Sequence, residues 1–323
     1  MQAILVRQHG APEVLQVATL PDPVAGPGEV RVRVAAIGVN PYDTYMRAGG
    51  YANAPDCPYI PGADAAGTID QVGAGVTGLS VGDRVYVGGT TAGKSHGAYA
   101  SLVLCRPTQV HALPARLSFA QGAAIHVPYA TAWRALYGRA HLQAGEAVFV
   151  HGGSGAVGLA TIQIARAAGH TVVATASTPE GTALALAAGA TQVFNHRTPG
   201  YLDQVAAALP GGPAVIVEML ANVNLEHDLT LLAKHGRIVV VGNRGRIEID
   251  PRKIMGKEAA VSGMALWNLS EDELAGIHGQ LAAGLASGAL TPVVNVELRL
   301  AEAPRAHALI MEPGARGKIV LVP

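Results

Sequence analysis

From about residue 147 onward, apolar residues fall in short unbroken runs, and each run is followed by a longer stretch of mixed polarity. The runs 147–151, 171–176, 192–195, 214–219, 237–241 and 259–263 read as strands. The stretches 156–169, 179–188, 201–209 and 223–234 read as helices. Gly169 closes the first of these, and Pro179 opens the second at a first-turn position. A strand apolar at every position needs cover on both faces, as in a parallel sheet flanked by helices. The alternation therefore predicts a doubly wound α/β domain.

Upstream the texture differs. Residues 30–34 alternate as Val-Arg-Val-Arg-Val, which suits a strand with one wet face. The stretches 21–28, 49–62, 73–82 and 88–97 are rich in Gly and Pro and read as turns between short strands. Residues 82–87 read as a turn feeding a strand, and 122–139 as a long helix that Pro128 must start or kink. The tail from about Leu266 holds a helix over 271–286 and strands over 293–298 and 318–322, and is expected to return to the first domain.

Composition narrows the function. Half of the 323 residues are hydrophobic and 14% are charged, so a large core is available and wholesale disorder is excluded. Lys+Arg and Asp+Glu are both 23, a neutral balance that argues against nucleic acid as a partner. The two cysteines, Cys57 and Cys105, give neither a disulfide framework nor a Cys-rich zinc module. No signal-like N-terminus and no apolar run of about 18 residues is present, so the expected location is the cytoplasm and no membrane association is expected.

One motif carries chemistry by itself. Gly153-x-Gly155-x-x-Gly158 lies between a predicted strand and a predicted helix. Gly153 would permit the tight turn, Gly155 a close approach to a pyrophosphate, and Gly158 close packing of the helix. The helix N-terminus would then present free N–H groups to the phosphates. An NAD site usually carries an acid about 20 residues further on. Here the second strand ends Ala174-Thr175-Ala176-Ser177-Thr178-Pro179, with no acid before Glu180. The missing carboxylate favours NADPH; an NAD enzyme with a poor ribose contact is the alternative. The twelve histidines are scattered, without HExxH or His-x-His, so no catalytic metal is expected.

Longer segments carry a family likeness. They are Gly38-Val39-Asn40-Pro41-x-x-Thr44-Tyr45, Pro58-Tyr59-x-Pro61-Gly62, residues 81–85, residues 121–125, residues 151–158, Phe194-Asn195-His196-Arg197, residues 218–224 (EMLANVN) and residues 241–245. With these the chain resembles the zinc-independent, zeta-crystallin-like quinone oxidoreductases among the medium-chain dehydrogenases/reductases. The resemblance implies a β-rich GroES-like catalytic domain from residues 1–125 and 266–323, and a Rossmann cofactor domain from 126–265. It implies NADPH-dependent reduction of quinones by a homo-dimer or homo-tetramer. Zinc-dependent members carry a ligand Cys and a ligand His where this chain has Asn40 and Ala63.

The resemblance also implies site residues. Gly153, Ser154, Gly155, Ala156, Val157 and Gly158 would form the pyrophosphate loop. Ser177, where the family often has Gly, and His196 would lie at the adenosine half. Asn224 would lie near the cofactor at a helix start, and Val241, Gly242, Asn243 and Arg244 toward the nicotinamide. Met264, Ala265 and Leu266 would line its far end, with Tyr45 against it from the first domain. Asn40 and Tyr45 are the candidates beside the reacting atoms, and Asn40, Tyr42, Tyr45 and Tyr51 could hold a carbonyl and a ring. The alternatives are an alkenal or enoyl reductase of the same family, in which Tyr45 would protonate carbon, and an RNA-binding or crystallin-like structural protein.

Overall fold

The computed structural model describes residues 1–51, 53–88 and 97–323. The interior of the turn expected over 88–97 lies outside the described residues.

The first part holds strands β1 (Gln2–Val6), β2 (Leu15–Thr19) and β3 (Val30–Val39), helix α1 (Pro41–Arg47), then β4 (Asp64–Val72), β5 (Arg84–Gly88), β6 (Leu102–Cys105) and β7 (Val110–Ala112). β3 is longer than its alternating start suggests. Arg31 and Arg33 leave its wet face and both pair with Asp70, at 2.8 Å each, while Ala36–Val39 sinks into the core. Helices α2 (Phe119–Gly122) and α3 (His126–Trp133) follow, and a π-helical turn, Arg134–Arg139, continues α3. The single long helix expected over 122–139 is thus interrupted. Pro128 has no N–H to complete a continuous ladder, and restarting at His126 places it in a first turn, where none is needed.

The α/β part contains β8 (Val148–Val150), α4 (Ala156–Ala167), β9 (Val172–Ala176), α5 (Pro179–Ala188), β10 (Gln192–Asn195), α6 (Tyr201–Ala208), β11 (Val215–Glu218), α7 (Ala221–Leu231), β12 (Arg237–Val240), α8 (Pro251–Lys257) and β13 (Ala260–Gly263). Helix α8 was not expected; Pro251 at its start and capping by Asp250 define it. The six strands pair in parallel in the order β10-β9-β8-β11-β12-β13. Every residue of β8, β9 and β11 is buried, as their unbroken apolar runs require. The order reverses between β8 and β11, the position at which such sheets bind ligands.

The tail supplies α9 (Glu271–Ser287), β14 (Val294–Arg299), α10 (Ala303–Leu309) and β15 (Lys318–Val322). Its strands join the first sheet, ordered β14-β15-β3-β4-β5-β7 with β6 on β3. Helix α9 instead packs on α3, because Ile277, Leu281 and Leu285, spaced by one helical turn, enter the α/β core.

Candidate cofactor and acceptor site

The glycine motif forms the turn from β8 into α4. The left-handed residue is Gly152, with φ +60°, rather than Gly153. Gly153 is needed for proximity: a Cβ there would lie 2.7 Å from Ala174 Cβ on β9. A Cβ on Gly158 would lie 2.3 Å from the Gly152 carbonyl oxygen, so the helix seats on the turn itself. Gly155, Ala156 and Val157 stay partly exposed, and no side chain caps the N-terminus of α4. Its first N–H groups can therefore take an anion. Thr175 braces the turn, accepting from Gly152 N at 3.1 Å and, through its carbonyl, from Gly153 N at 2.7 Å. Ser154 differs from expectation. Its hydroxyl donates to Ala315 O at 2.7 Å, so only its backbone is left for a phosphate.

That bond brings the tail to the expected adenosine end. Gly317 N donates to Ser154 O at 2.8 Å, and a Cβ on Gly314 would sit 3.9 Å from Ser177 Oγ. Arg316 lies between these residues, exposed. The carboxyl of Glu180 is held below its ordinary range by the helix start and Thr178, and the charge of Arg316 adds to this. Thus the cation absent after Ser177 in sequence arrives from 139 positions downstream (316 minus 177). His196 flanks the same end: its N–H donates to Ala176 O at 3.3 Å.

At the switch point Glu218 ends β11 fully buried. It accepts from Leu220 N and, at 3.1 Å, from Asn224 Nδ2, so the amide nitrogen of Asn224 is committed inward. His151 Nε2 lies 2.7 Å from Asp228 Oδ1 and 3.3 Å from Glu218 Oε2. Scattered in sequence, these three form the one group of potential metal ligands found among the described residues. Their contacts are those of a proton-sharing cluster. Burial pushes Glu218 up to about 8 and Asp228 up to about 7. Val241 and Gly242 leave β12 beside it; Gly242 N donates to Glu218 O at 3.2 Å. Arg244 N donates to Asn222 Oδ1 at 2.9 Å, and Asn243 Nδ2 to Gly245 O at 2.8 Å. Met264, Ala265 and Leu266 follow β13, held by Arg134 Nη1 on Ala265 O at 2.5 Å.

The expected acceptor end lies at the start of α1. Asp43 caps this helix by accepting from Asn40 N at 2.8 Å, which leaves the Asn40 side chain for other work. Asn40 Oδ1 accepts from Lys318 Nζ at 2.6 Å, and Asn40 Nδ2 donates to Asp64 Oδ2 at 3.0 Å. Lys318 Nζ also pairs with Asp64 Oδ2 at 2.5 Å. These donors do not fit zinc: an ammonium holds the lone pairs that a metal would need, and Ala63 offers none. Tyr45 packs on Tyr51 at 5.6 Å between ring centroids, and Tyr51 meets Trp267 edge-on at 5.4 Å. This aromatic chain joins α1 to the segment holding Met264–Leu266, and so brings Tyr45 toward the expected nicotinamide wall. Lys318, Asp64, Trp267, Arg316 and the Glu218 cluster were missed in the sequence. Only Lys318 left a local signal, a lone charge heading the apolar run of β15.

A third polar cluster lies between β5, β7, α3 and α9. His126 Nδ1 and His278 Nε2 are 2.9 Å apart, Tyr86 OH is 3.1 Å from His278 Nδ1, and the His111 and His278 rings are 4.2 Å apart. Burial holds all three histidines below their ordinary value, His111 near about 4. His151 and His307 are lowered likewise, His307 to about 3. These groups take up protons on unfolding below pH 6.5, so stability falls as pH drops from there toward about 4. Glu218, Asp228 and Asp43, the last raised by burial to about 7, release protons on unfolding near neutrality. They make stability fall as pH rises from the ordinary carboxyl range to about 8. With His196, which burial also lowers, six histidines outweigh three carboxyls on the acid side, and the raised carboxyls dominate from pH 6.5 to about 8. A thermal midpoint followed from pH 4.5 to 9 should therefore peak near about pH 6.5. A midpoint still climbing between about pH 7 and 8 would contradict these assignments.

Residues 26–115 match the alcohol dehydrogenase GroES-like domain, and residues 156–278 match the zinc-binding dehydrogenase domain. Quinone oxidoreductase of Rattus norvegicus is 45% identical over 325 aligned residues, covering 100% of this chain and 98% of that protein. The chain belongs to the quinone oxidoreductase family. The Homo sapiens member is 43% identical with the same coverage. Among solved structures, Escherichia coli quinone oxidoreductase complexed with NADPH superposes with a TM-score of 0.87 at 29% identity, covering 100% of both chains. An NAD-dependent alcohol dehydrogenase superposes at 0.91 with 30% identity, again over 100% of both chains. The family fold is thus a Rossmann-like parallel-sheet domain joined to a GroES-like one. The second domain match carries the zinc-binding dehydrogenase label, and in this chain the Asn40–Asp64–Lys318 cluster lies beside Ala63.

Proposed function

We propose that this chain reduces quinones with NADPH, without zinc. The carrying observation is the uncapped start of α4 above an acid-free end of β9, in a chain 43–45% identical over its full length to quinone oxidoreductases. Residues 126–265 form the cofactor domain, and 1–125 with 266–323 the catalytic domain. When bound, NADPH supplies a hydride. The protein's residues bind and orient. Backbone N–H groups at Ser154 and along the α4 terminus hold the pyrophosphate, the N–H of Gly155 being donated to Gly152 O within the turn. Ser177, His196 and Arg316 take the 2′-phosphate side, while Asn224, Val241–Arg244 and Met264–Leu266 border the nicotinamide. Gly155 fits this role, since a Cβ there would meet no protein atom nearer than 3.5 Å. Tyr45, Tyr51 and Trp267 offer ring faces to a planar acceptor, and Asn40 lies at its carbonyl end.

The experiment is NADPH oxidation against a panel of quinones, alkenals and alcohols; the proposal requires quinones to be the best acceptors. NADPH should bind at least about tenfold more tightly than NADH, a difference of about 1.4 kcal/mol. Equal dissociation constants by fluorescence titration would sink the 2′-phosphate assignment. Ser177→Asp should move preference toward NADH. Arg316→Ala should erode it by about 10- to 100-fold, the worth of a charge-assisted hydrogen bond, and leave NADH affinity unchanged. We further propose a cytoplasmic homo-oligomer. Edge strand β13 is mostly exposed, including Val261, and Met255 on α8 is 75% exposed. No helix among the described residues is long and apolar enough to cross a membrane.

A further inference from the structure

Asn40, Asp64 and Lys318 are 3%, 1% and 2% exposed, and they come from the start of α1, the start of β4 and the start of β15. A fourth element fixes them, because Val127 N at the start of α3 donates to Asp64 Oδ1 at 2.9 Å. The lysine stem passes over Gly38, where a Cβ would lie 2.6 Å from Lys318 Cε and 2.1 Å from Ala123 O. A glycine on β3 thus makes room for a buried cation. A buried Lys–Asp pair is a poor device for stability, since desolvation consumes most of its attraction. What it does here is hold an amide. The Asn40 oxygen faces the ammonium and one Nδ2–H faces the carboxylate, which fixes the amide plane and leaves the second Nδ2–H.

Hydride delivery to a quinone transfers two electrons and one proton and leaves a hydroquinone monoanion; its second proton comes from water. The negative charge gathers on the acceptor oxygen, so a donor fixed before the reaction stabilises the transition state. A hydrogen bond accepted at the amide oxygen polarises the amide and strengthens its N–H as a donor. We propose that Lys318 is a positioning residue that orients and polarises Asn40, whose second Nδ2–H is the catalytic donor to the acceptor oxygen. The lysine charge thus acts on the acceptor through an amide rather than by direct contact. This inference rests on the quinone reductase reading above.

The test uses the full-length protein and three variants: Lys318→Met, Asp64→Asn, and the two combined. Lys318→Met alone strands a buried carboxylate and is expected to lower the thermal midpoint sharply. The double variant removes both charges, keeps an acceptor for Val127 N, and should restore the midpoint and bind NADPH as the wild type does. Its kcat with quinones should nevertheless stay about 10- to 100-fold low with KM little changed, short of the about 10²–10³ typical when an oxyanion donor is deleted outright. The deficit should grow across a quinone series as the hydroquinone anion becomes more basic, a dependence that a general packing defect would not produce. A double variant with wild-type kcat, or a deficit equal for every quinone, overturns the inference while leaving the quinone reductase reading intact. A wild-type enzyme that oxidises NADPH with no quinone overturns both.

Discussion

Gly158→Ala is expected to raise the NADPH dissociation constant by at least about 100-fold, or about 2.7 kcal/mol. The new Cβ would stand 2.3 Å from Gly152 O and 2.8 Å from Gly153 Cα. Both contacts are backbone, so no rotamer change relieves them, and the turn must move off the helix. Overpacking of this kind costs about 1–3 kcal/mol of stability, so the thermal midpoint should fall by several degrees as well. Gly155→Ala is the informative companion. At Gly155 φ is −73°, which alanine adopts freely, and the nearest atoms to a new Cβ are 3.5 and 3.8 Å away. The apo-protein midpoint should therefore be unchanged, and any loss must come from the methyl meeting the phosphates. Gly155→Ala with wild-type NADPH affinity, measured by fluorescence titration, would show that the pyrophosphate does not lie over this turn.

Those two glycines also mark what the sequence disclosed. The motif and its strand–turn–helix setting were legible, because β8 and β9 are buried on both faces and their apolar runs cannot be mistaken for half-wet strands. The division of labour within the motif was not. Whether Gly152 or Gly153 turns left-handed depends on where β9 lies, and that is a tertiary fact. Helix α1 was hidden for a local reason: its seven residues are set among Gly- and Pro-rich segments and are too few to display a period. The break between α2 and α3 was half legible, since Pro128 announced it without saying on which side the helix would restart.

The site was legible where the chain is contiguous and opaque where it folds back. Ser177, His196, Asn224 and residues 241–244 each follow a strand of the parallel sheet, so the alternation itself placed them at one end. Lys318 stands 278 positions beyond Asn40, and no period or spacing connects them. The same holds for Arg316, whose charge reaches Glu180, and for Trp267 beside Tyr51. Each joins the tail, or the segment leading into it, to an earlier element. A sequence reading could expect the tail to return to the first sheet, but it could not say which charges would meet when it did. Glu218 and His151 each sit in a motif visible in the sequence, yet their meeting with Asp228 depends on the register between β8, β11 and α7.

Tyr45→Phe should separate the two chemistries this family fold could carry. Tyr45 is half-buried on α1, 5.6 Å from the Tyr51 ring, and Tyr51 in turn contacts Trp267 beyond the Met264–Leu266 segment. If its phenol orients the nicotinamide, phenylalanine keeps the ring packing and loses one neutral hydrogen bond, worth about 0.5–1.5 kcal/mol. The NADPH dissociation constant should then rise a few-fold to about tenfold. Quinone turnover should fall little, because a reduced quinone oxygen can take its proton from water. If instead the hydroxyl protonates a carbon after hydride transfer, turnover on alkenals should drop by about 10²–10⁴. Both assays on one variant decide, and the quinone pattern is the expected one: weaker binding with turnover largely retained. A collapse of quinone turnover at unchanged NADPH affinity would move Tyr45 from the cofactor to the acceptor, and would require that acceptor to need a proton that water does not deliver in time.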